Sequence, residues 1–251
     1  MVSGNILGDG SMDRRIKTIV AYGIGSFVLI DVPVFIELLT GWKTAPINFP
    51  DIIDITLFVP FMAIILLSLY RSYNIRDKKL STILLIAYVI FFEGHGVHWA
   101  ANALDLLQHC EGADCLARFG EAAESQKLAY FLDEIIGHKL MYYPLFLILL
   151  IFLLIDTELK MSRQERFLLY LSGVLHGFYL IVATVEGQTG IEGLIFAALA
   201  LIICLRMGLS DTKKRPFALF MLTTSIVMLV LGISWWAYWG ALVQPSKILK
   251  F

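Results

Sequence analysis

Seven apolar stretches alternate with short polar ones along the chain. They run from about Ile16 to Thr40, Ile52 to Tyr70, Ser81 to Leu107, Leu128 to Ile155, Phe167 to Glu186, Gly190 to Met207 and Pro216 to Val243. A helix crosses a hydrocarbon layer of about 30 Å with roughly 20 residues, so each stretch is long enough to span a bilayer. Within lipid the backbone has no water to bond, and a helix is the element that satisfies its own N–H and C=O groups. The pattern therefore predicts an all-α fold: one transmembrane domain over residues 1–251, built as a seven-helix bundle. Residues 1–13, with their Gly, Ser and Asp, read as a frayed tail. Pro60 predicts a kink in the second helix, because proline has no N–H to give its helix. The first stretch is longer than a signal-peptide core and no small-residue cleavage site follows it, so no cleaved leader is expected. The loops are too short for a soluble domain, and there is no internal repeat.

Composition agrees. Of the 251 residues, 58% are hydrophobic and 16% charged, with a mean hydropathy of +0.76. Soluble domains average roughly 45–50% apolar and about 25% charged. The net charge of −1 comes with no basic stripe or nucleic-acid motif, so nucleic acid is not an expected partner. Membrane lipid is.

The distribution of Lys and Arg orients the bundle. One side carries fourteen: Arg14, Arg15 and Lys17; Arg71, Arg76, Lys78 and Lys79; Lys160, Arg163 and Arg166; Arg206, Lys213, Lys214 and Arg215. The other side carries five: Lys43, Arg118, Lys127, Lys247 and Lys250. The expectation is a cytoplasmic N-terminus, an outside C-terminus, and a multi-pass location in the plasma membrane of a prokaryote or an equivalent membrane. Cys110 and Cys115 then share an outer loop, where a disulfide or two free thiols are both chemically admissible.

Against this apolar background the stretch Phe91–Asp105, FFEGHGVHWAANALD, stands out. At about 100° per residue, His95, His98, Asn102 and Asp105 share one helix face, while Glu93 points to the far side. Polar groups within a span are costly unless they face a bundle interior, and there they mark function. Counting inward from the outer ends, His98, His138 and His176 all fall at about 13–17 Å depth, at 1.5 Å per residue. Carboxylates gather above them: Asp133 and Glu134 on the fourth helix, with Glu134 and His138 at i and i+4, Glu186 at the mouth of the fifth, Asp31 and Glu37 on the first, and Asp51 and Asp54 on the second.

Neutral imidazoles with carboxylates are the usual ligands of zinc and of non-haem iron. Three such ligands leave a coordination position open for a water of lowered pKa. The expected metal ligands are His98, His138 and His176, with His95 or Glu134 as a fourth ligand or general base. Glu134 or Asp133 is the expected base, and Asn102 and Ser172, one turn from His176, are candidates to orient a substrate. Lys139 lies inside the fourth helix and needs a partner, for which Glu93 is the candidate; snorkelling to the interface is the other reading. The aromatic run of Ser234–Trp239 reads as an interfacial belt or as a cavity wall. The turn EGQTG, Glu186–Gly190, either lids the pocket or merely joins two helices.

Seven helices with histidines inside the membrane resemble, in kind, the zinc-dependent membrane hydrolases that include alkaline ceramidases and the adiponectin-receptor group. Their HxxxH on the last helix has no counterpart here, and none of their site residues carries over. The expected function is a zinc-dependent membrane hydrolase acting on a lipid or other amphiphile from an outward-facing cavity, with iron as the alternative metal. Three other readings of the same residues stand beside it: a proton or divalent-cation transporter or channel, a haem b protein with two histidine axial ligands, and a buried hydrogen-bond network.

Overall fold

All seven apolar stretches coil into helices, and they do so close to the limits that their hydrophobicity sets. The computed structural model describes the backbone of residues 12–40, 49–108 and 122–249, and their side chains except those of 105–108, 122–124, 126, 246 and 249. The helices are α1 (Arg14–Thr40), α2 (Phe49–Ser72), α3 (Lys78–Gln108), α4 (Lys127–Ile155), α5 (Arg163–Glu186), α6 (Gly190–Met207) and α7 (Pro216–Trp239). All seven are long and apolar enough to cross a membrane. No strand occurs among the described residues. The outside of the bundle is greasy: Ile64, Leu85, Ile195 and Val230 are among the apolar side chains left exposed. A water-soluble surface does not carry so continuous an apolar cover. The chain is an all-α, seven-transmembrane-helix bundle. Cys110 and Cys115 lie outside the described residues.

Local chemistry sets the ends. Ser162 opens α5 with a capping box: its hydroxyl accepts from Glu165 N at 3.2 Å, and the Glu165 carboxylate accepts from Ser162 N at 2.8 Å. The sequence extends α7 to Val243, but the helix stops at Trp239. Gly240 takes φ 71°, a left-handed conformation that glycine adopts without steric penalty, and its N–H caps the Trp236 carbonyl. The following residues fold back, and Trp235 Nε1 donates to the Val243 carbonyl at 3.0 Å.

Two helices contain a π-helical turn, in which each N–H reaches five residues back. One spans Asp54–Phe58 in α2, just before Pro60, where the sequence predicts a kink. The other spans Phe131–Gly137 in α4. Such turns are rare and recur at functional sites.

α4, α5 and α7 form the inside of the bundle: 56% of their most apolar stretch is buried, against 28–33% for the other four helices. α3 packs along α4, α5 against α1 and α7, and α7 also against α6. The α3–α4 contact is backbone-close. A Cβ on Gly94 would stand 2.6 Å from the Leu140 carbonyl carbon, and one on Gly137 would stand 3.0 Å from His98 Cα. Small residues admit such approach between membrane helices. Here the approach brings His98 to His138.

At the end of the bundle where α1 and α7 begin, Asp156 ties its own loop to Tyr73, just past α2, and to the start of α7. Its carboxylate accepts from Tyr73 Oη at 2.8 Å and from Ala218 N, in the first turn of α7, at 2.9 Å. Its carbonyl accepts from Arg215 Nη1 at 2.8 Å. Arg15 lies over the Tyr73 ring and donates to Thr157 Oγ1 at 2.7 Å. Burial raises the Asp156 carboxyl above the usual carboxylate range, and the bonds from Ala218 and Tyr73 oppose this only in part.

Candidate metal centre

The π turn of α4 decides which acid meets which imidazole. In a regular α-helix, residues five apart point about 140° away from each other, at 100° per residue. The π turn joins such a pair instead: His138 N–H donates to the Asp133 carbonyl. The side chains of Asp133 and His138 are thereby gathered on the face that meets α3. There His98 Nδ1 is in hydrogen-bond contact with Asp133 Oδ1. The His98 and His138 ring centroids are 4.6 Å apart. His98, Asp133 and His138 each offer a ligand atom, all within 4.8 Å of one another. Asp133 and His138 are buried and His98 nearly so.

Around this trio lie more polar groups, each with a defined partner. Glu134 Oε2 is 3.7 Å from His138 Nδ1, as the i, i+4 spacing anticipates. His95, against Phe91 and Phe58, faces Asp54 Oδ2 through Nδ1 at 3.3 Å. Asp54 is the first residue of the π turn in α2. Asn102 Nδ2 donates to Asp51 Oδ2 at 2.9 Å. Two buried atoms of the group, His138 Nδ1 and Asp54 Oδ1, have no hydrogen-bond partner. Orphaned buried polar atoms are rare in folded proteins and call for a water, a proton or an ion.

Two glutamines close over Glu134. Gln188 Nε2, in the α5–α6 turn, donates to Glu134 Oε2 at 3.0 Å and to Tyr130 Oη at 2.8 Å. Gln188 itself holds φ 53°, a left-handed conformation that is uncommon outside glycine. Gln244, beyond the end of α7, is 5% exposed. Its Nε2 donates to the Glu186 carbonyl at 2.6 Å and sits 3.3 Å from Glu134 Oε2.

His176 stands apart from this group. Its ring lies among Tyr22 (centroids 4.5 Å), Phe220 (5.1 Å) and Tyr179 (5.5 Å), and neither nitrogen has a partner. The reason is the side of α5 that it occupies: that side faces α1 and α7, whereas the trio forms between α3 and α4. Of the three expected ligands, His98 and His138 come together, with Asp133 beside them, and His176 does not join them. Ser172 goes with His176, and its hydroxyl is spent on its own helix, at Leu169 O, 3.0 Å away. Glu93 is exposed on α3 and makes no ion pair with Lys139, which is half-buried on α4. Asp31 is buried on α1 with Oδ2 unpartnered. The Glu186 carbonyl accepts from Gln244 Nε2. The side chain of Asp105 lies outside the described residues.

Sequence reasoning missed Gln244, because the apolar run hides the stop at Gly240. It also missed the partnership of Asp54 and Asp51 with α3; their place at the start of the second apolar stretch was the available signal. Compared with known proteins, the chain matches no family model, no curated protein and no solved structure.

Proposed function

We propose that this chain is a metal-dependent integral membrane enzyme, a hydrolase of a lipid or other amphiphilic substrate, with zinc held by His98, His138 and Asp133. One observation carries the reading: three ligand atoms from two helices lie within 4.8 Å of one another, in a part of the chain where polar groups are otherwise expensive. The unpartnered His138 Nδ1, with Glu134 beside it, and the acids Asp51 and Asp54 near His98 are the surroundings that a cation would neutralise. A zinc ion with three protein ligands supplies a Lewis acid and an activated water. Glu134, oriented by two glutamine amides, is the group placed to take a proton. The Asp54–His95 pair is a second proton carrier beside it. Asn102, held by Asp51, is a donor for a substrate oxygen. With the N-terminus cytoplasmic, as the Lys and Arg distribution implies, the site opens on the opposite side of the membrane.

Two His and one carboxylate is also the ligand set of non-haem iron, so the metal's identity is part of the test. Metal analysis of the purified protein should give about one zinc per chain, as for a single site with three protein ligands and one open position. His98→Ala and His138→Ala should lose it and His176→Ala should keep it. Wild-type protein that neither retains nor takes up zinc or iron would overturn the reading. Transport of protons or divalent cations is the second reading. It is favoured by the unpartnered Tyr22 Oη, His176 ring nitrogens and Asp31 Oδ2 in the bundle interior. Ion flux in proteoliposomes, preserved in His98→Ala, would select it.

A further inference from the structure

The end of the bundle opposite the metal centre has two clefts that share Leu159 and Lys160. The larger one comes close to balancing its charges: Arg14, Lys17 and Lys160 face Asp13 and Glu165. The smaller one does not. It has a volume of about 400 Å³ and is lined by Lys160, Arg166, Lys213 and Lys214 against the single acid Glu158. That volume lies within the range of small-ligand sites.

Some cations nearby are already engaged. Arg15 is bound to Thr157 and Arg215 to the Asp156 carbonyl. Lys214 is paired with Asp211 at 2.9 Å. Lys160, Arg166 and Lys213 remain, all exposed and none in an ion pair among the described residues. The cleft is held in shape by the backbone, since Leu159 N donates to the Lys214 carbonyl at 2.8 Å. Its borders are apolar as well as basic. Phe167, next to Arg166, is 62% exposed, and Leu209, whose carbonyl accepts from Lys213 N, is 53% exposed. Three free cations in a concavity, with exposed apolar side chains on either side at the end of the membrane helices, match a charged headgroup above acyl chains. Basic pockets between membrane helices bind anionic headgroups in this way.

We propose that the cleft between the α4–α5 loop and the segment preceding α7 binds the phosphate headgroup of an anionic phospholipid, through Lys160, Arg166 and Lys213. This site is independent of the metal centre.

The test uses the full-length protein, purified in detergent with phosphatidylglycerol and phosphatidylcholine supplied in equal amounts, and lipid retention read by native mass spectrometry. The wild type should retain phosphatidylglycerol in preference to phosphatidylcholine. K160Q/K213Q should lower that preference by about fivefold per lysine, from about 1 kcal/mol for each cation. R76Q/K79Q, exposed and basic but outside the cleft, should leave it unchanged. Equal loss in both pairs would show diffuse surface charge and overturn the site. No loss in K160Q/K213Q would overturn it too. Retention of added inorganic phosphate without phosphatidylglycerol would assign the cleft to free phosphate and overturn the lipid. All four side chains are exposed, so none of the substitutions threatens the fold.

Discussion

Asp133 and His138 are five residues apart on one helix, and His138 N–H donates to the Asp133 carbonyl across a π turn. That register puts their side chains beside His98 of α3. The two residues should therefore fail together. Asp133→Asn keeps the shape of the side chain and removes its charge. If Asp133 is a ligand, zinc binding should fall by far more than the roughly 10–100-fold typical of a group that only supports a ligating histidine. Zinc titration monitored by calorimetry checks this. A loss within that smaller range would reassign Asp133 to the hydrogen bond on His98 Nδ1.

The α3–α4 approach should be as necessary as the ligands. A Cβ on Gly137 would press on His98 Cα, Cβ and N at 3.0–3.1 Å, largely backbone that cannot swing aside. Gly137→Val should separate the helices, cost about 1–3 kcal/mol as overpacking does, and abolish metal binding. Thermal unfolding together with metal content checks it. Gly96, whose Cβ position is open, is the control: Gly96→Ala should keep the metal.

Gln244 should matter for turnover rather than for the metal. Gln244→Ala removes the donor to the Glu186 carbonyl and one amide beside Glu134. It should cost about 1–3 kcal/mol of stability, the range for stranding a buried partner, and leave zinc content unchanged. Once a substrate is in hand, kcat should drop and its pH profile should move, because Glu134 loses an oriented donor. Loss of zinc in this variant would place Gln244 in support of the ligands instead.

The seven helices were legible because the hydrocarbon layer imposes length and hydrophobicity on each span. The meeting of His98 and His138, and the nearness of Glu134 to His138, were legible from spacing too. His176 was not. Counting residues from a helix end gives a side chain's depth but says nothing of the direction in which it points. Direction depends on which helices pack together, and α5 turns His176 toward Tyr22 and Phe220. The pairing of Asp133 with His98 was hidden for a different reason. It depends on a π turn, and spacing read at 100° per residue assumes there is none. Gly240 shows the same limit at a helix end: an apolar run continues past it while the backbone turns away.

Stability should depend on pH through Asp156. Its folded-state carboxyl is raised by burial, so the folded protein holds this proton to higher pH than the unfolded chain does. This contribution is complete below the ordinary carboxylate value, about 3.9. It declines as pH rises from there through the raised value. In Asp156→Asn that component should vanish. Melting temperatures of the two proteins, measured from acid to neutral pH, should differ in slope over this window, with the wild type falling more steeply. Parallel curves would show that Asp156 is not the group responsible.

The most direct measurement is a zinc-edge anomalous difference map from crystals of the zinc-loaded protein. The account predicts a single strong peak between α3 and α4, within about 2.0–2.2 Å of a His98 nitrogen, a His138 nitrogen and an Asp133 oxygen, the usual zinc distances. A peak at His176, or no peak between His98 and His138 in protein shown to carry zinc, would contradict it.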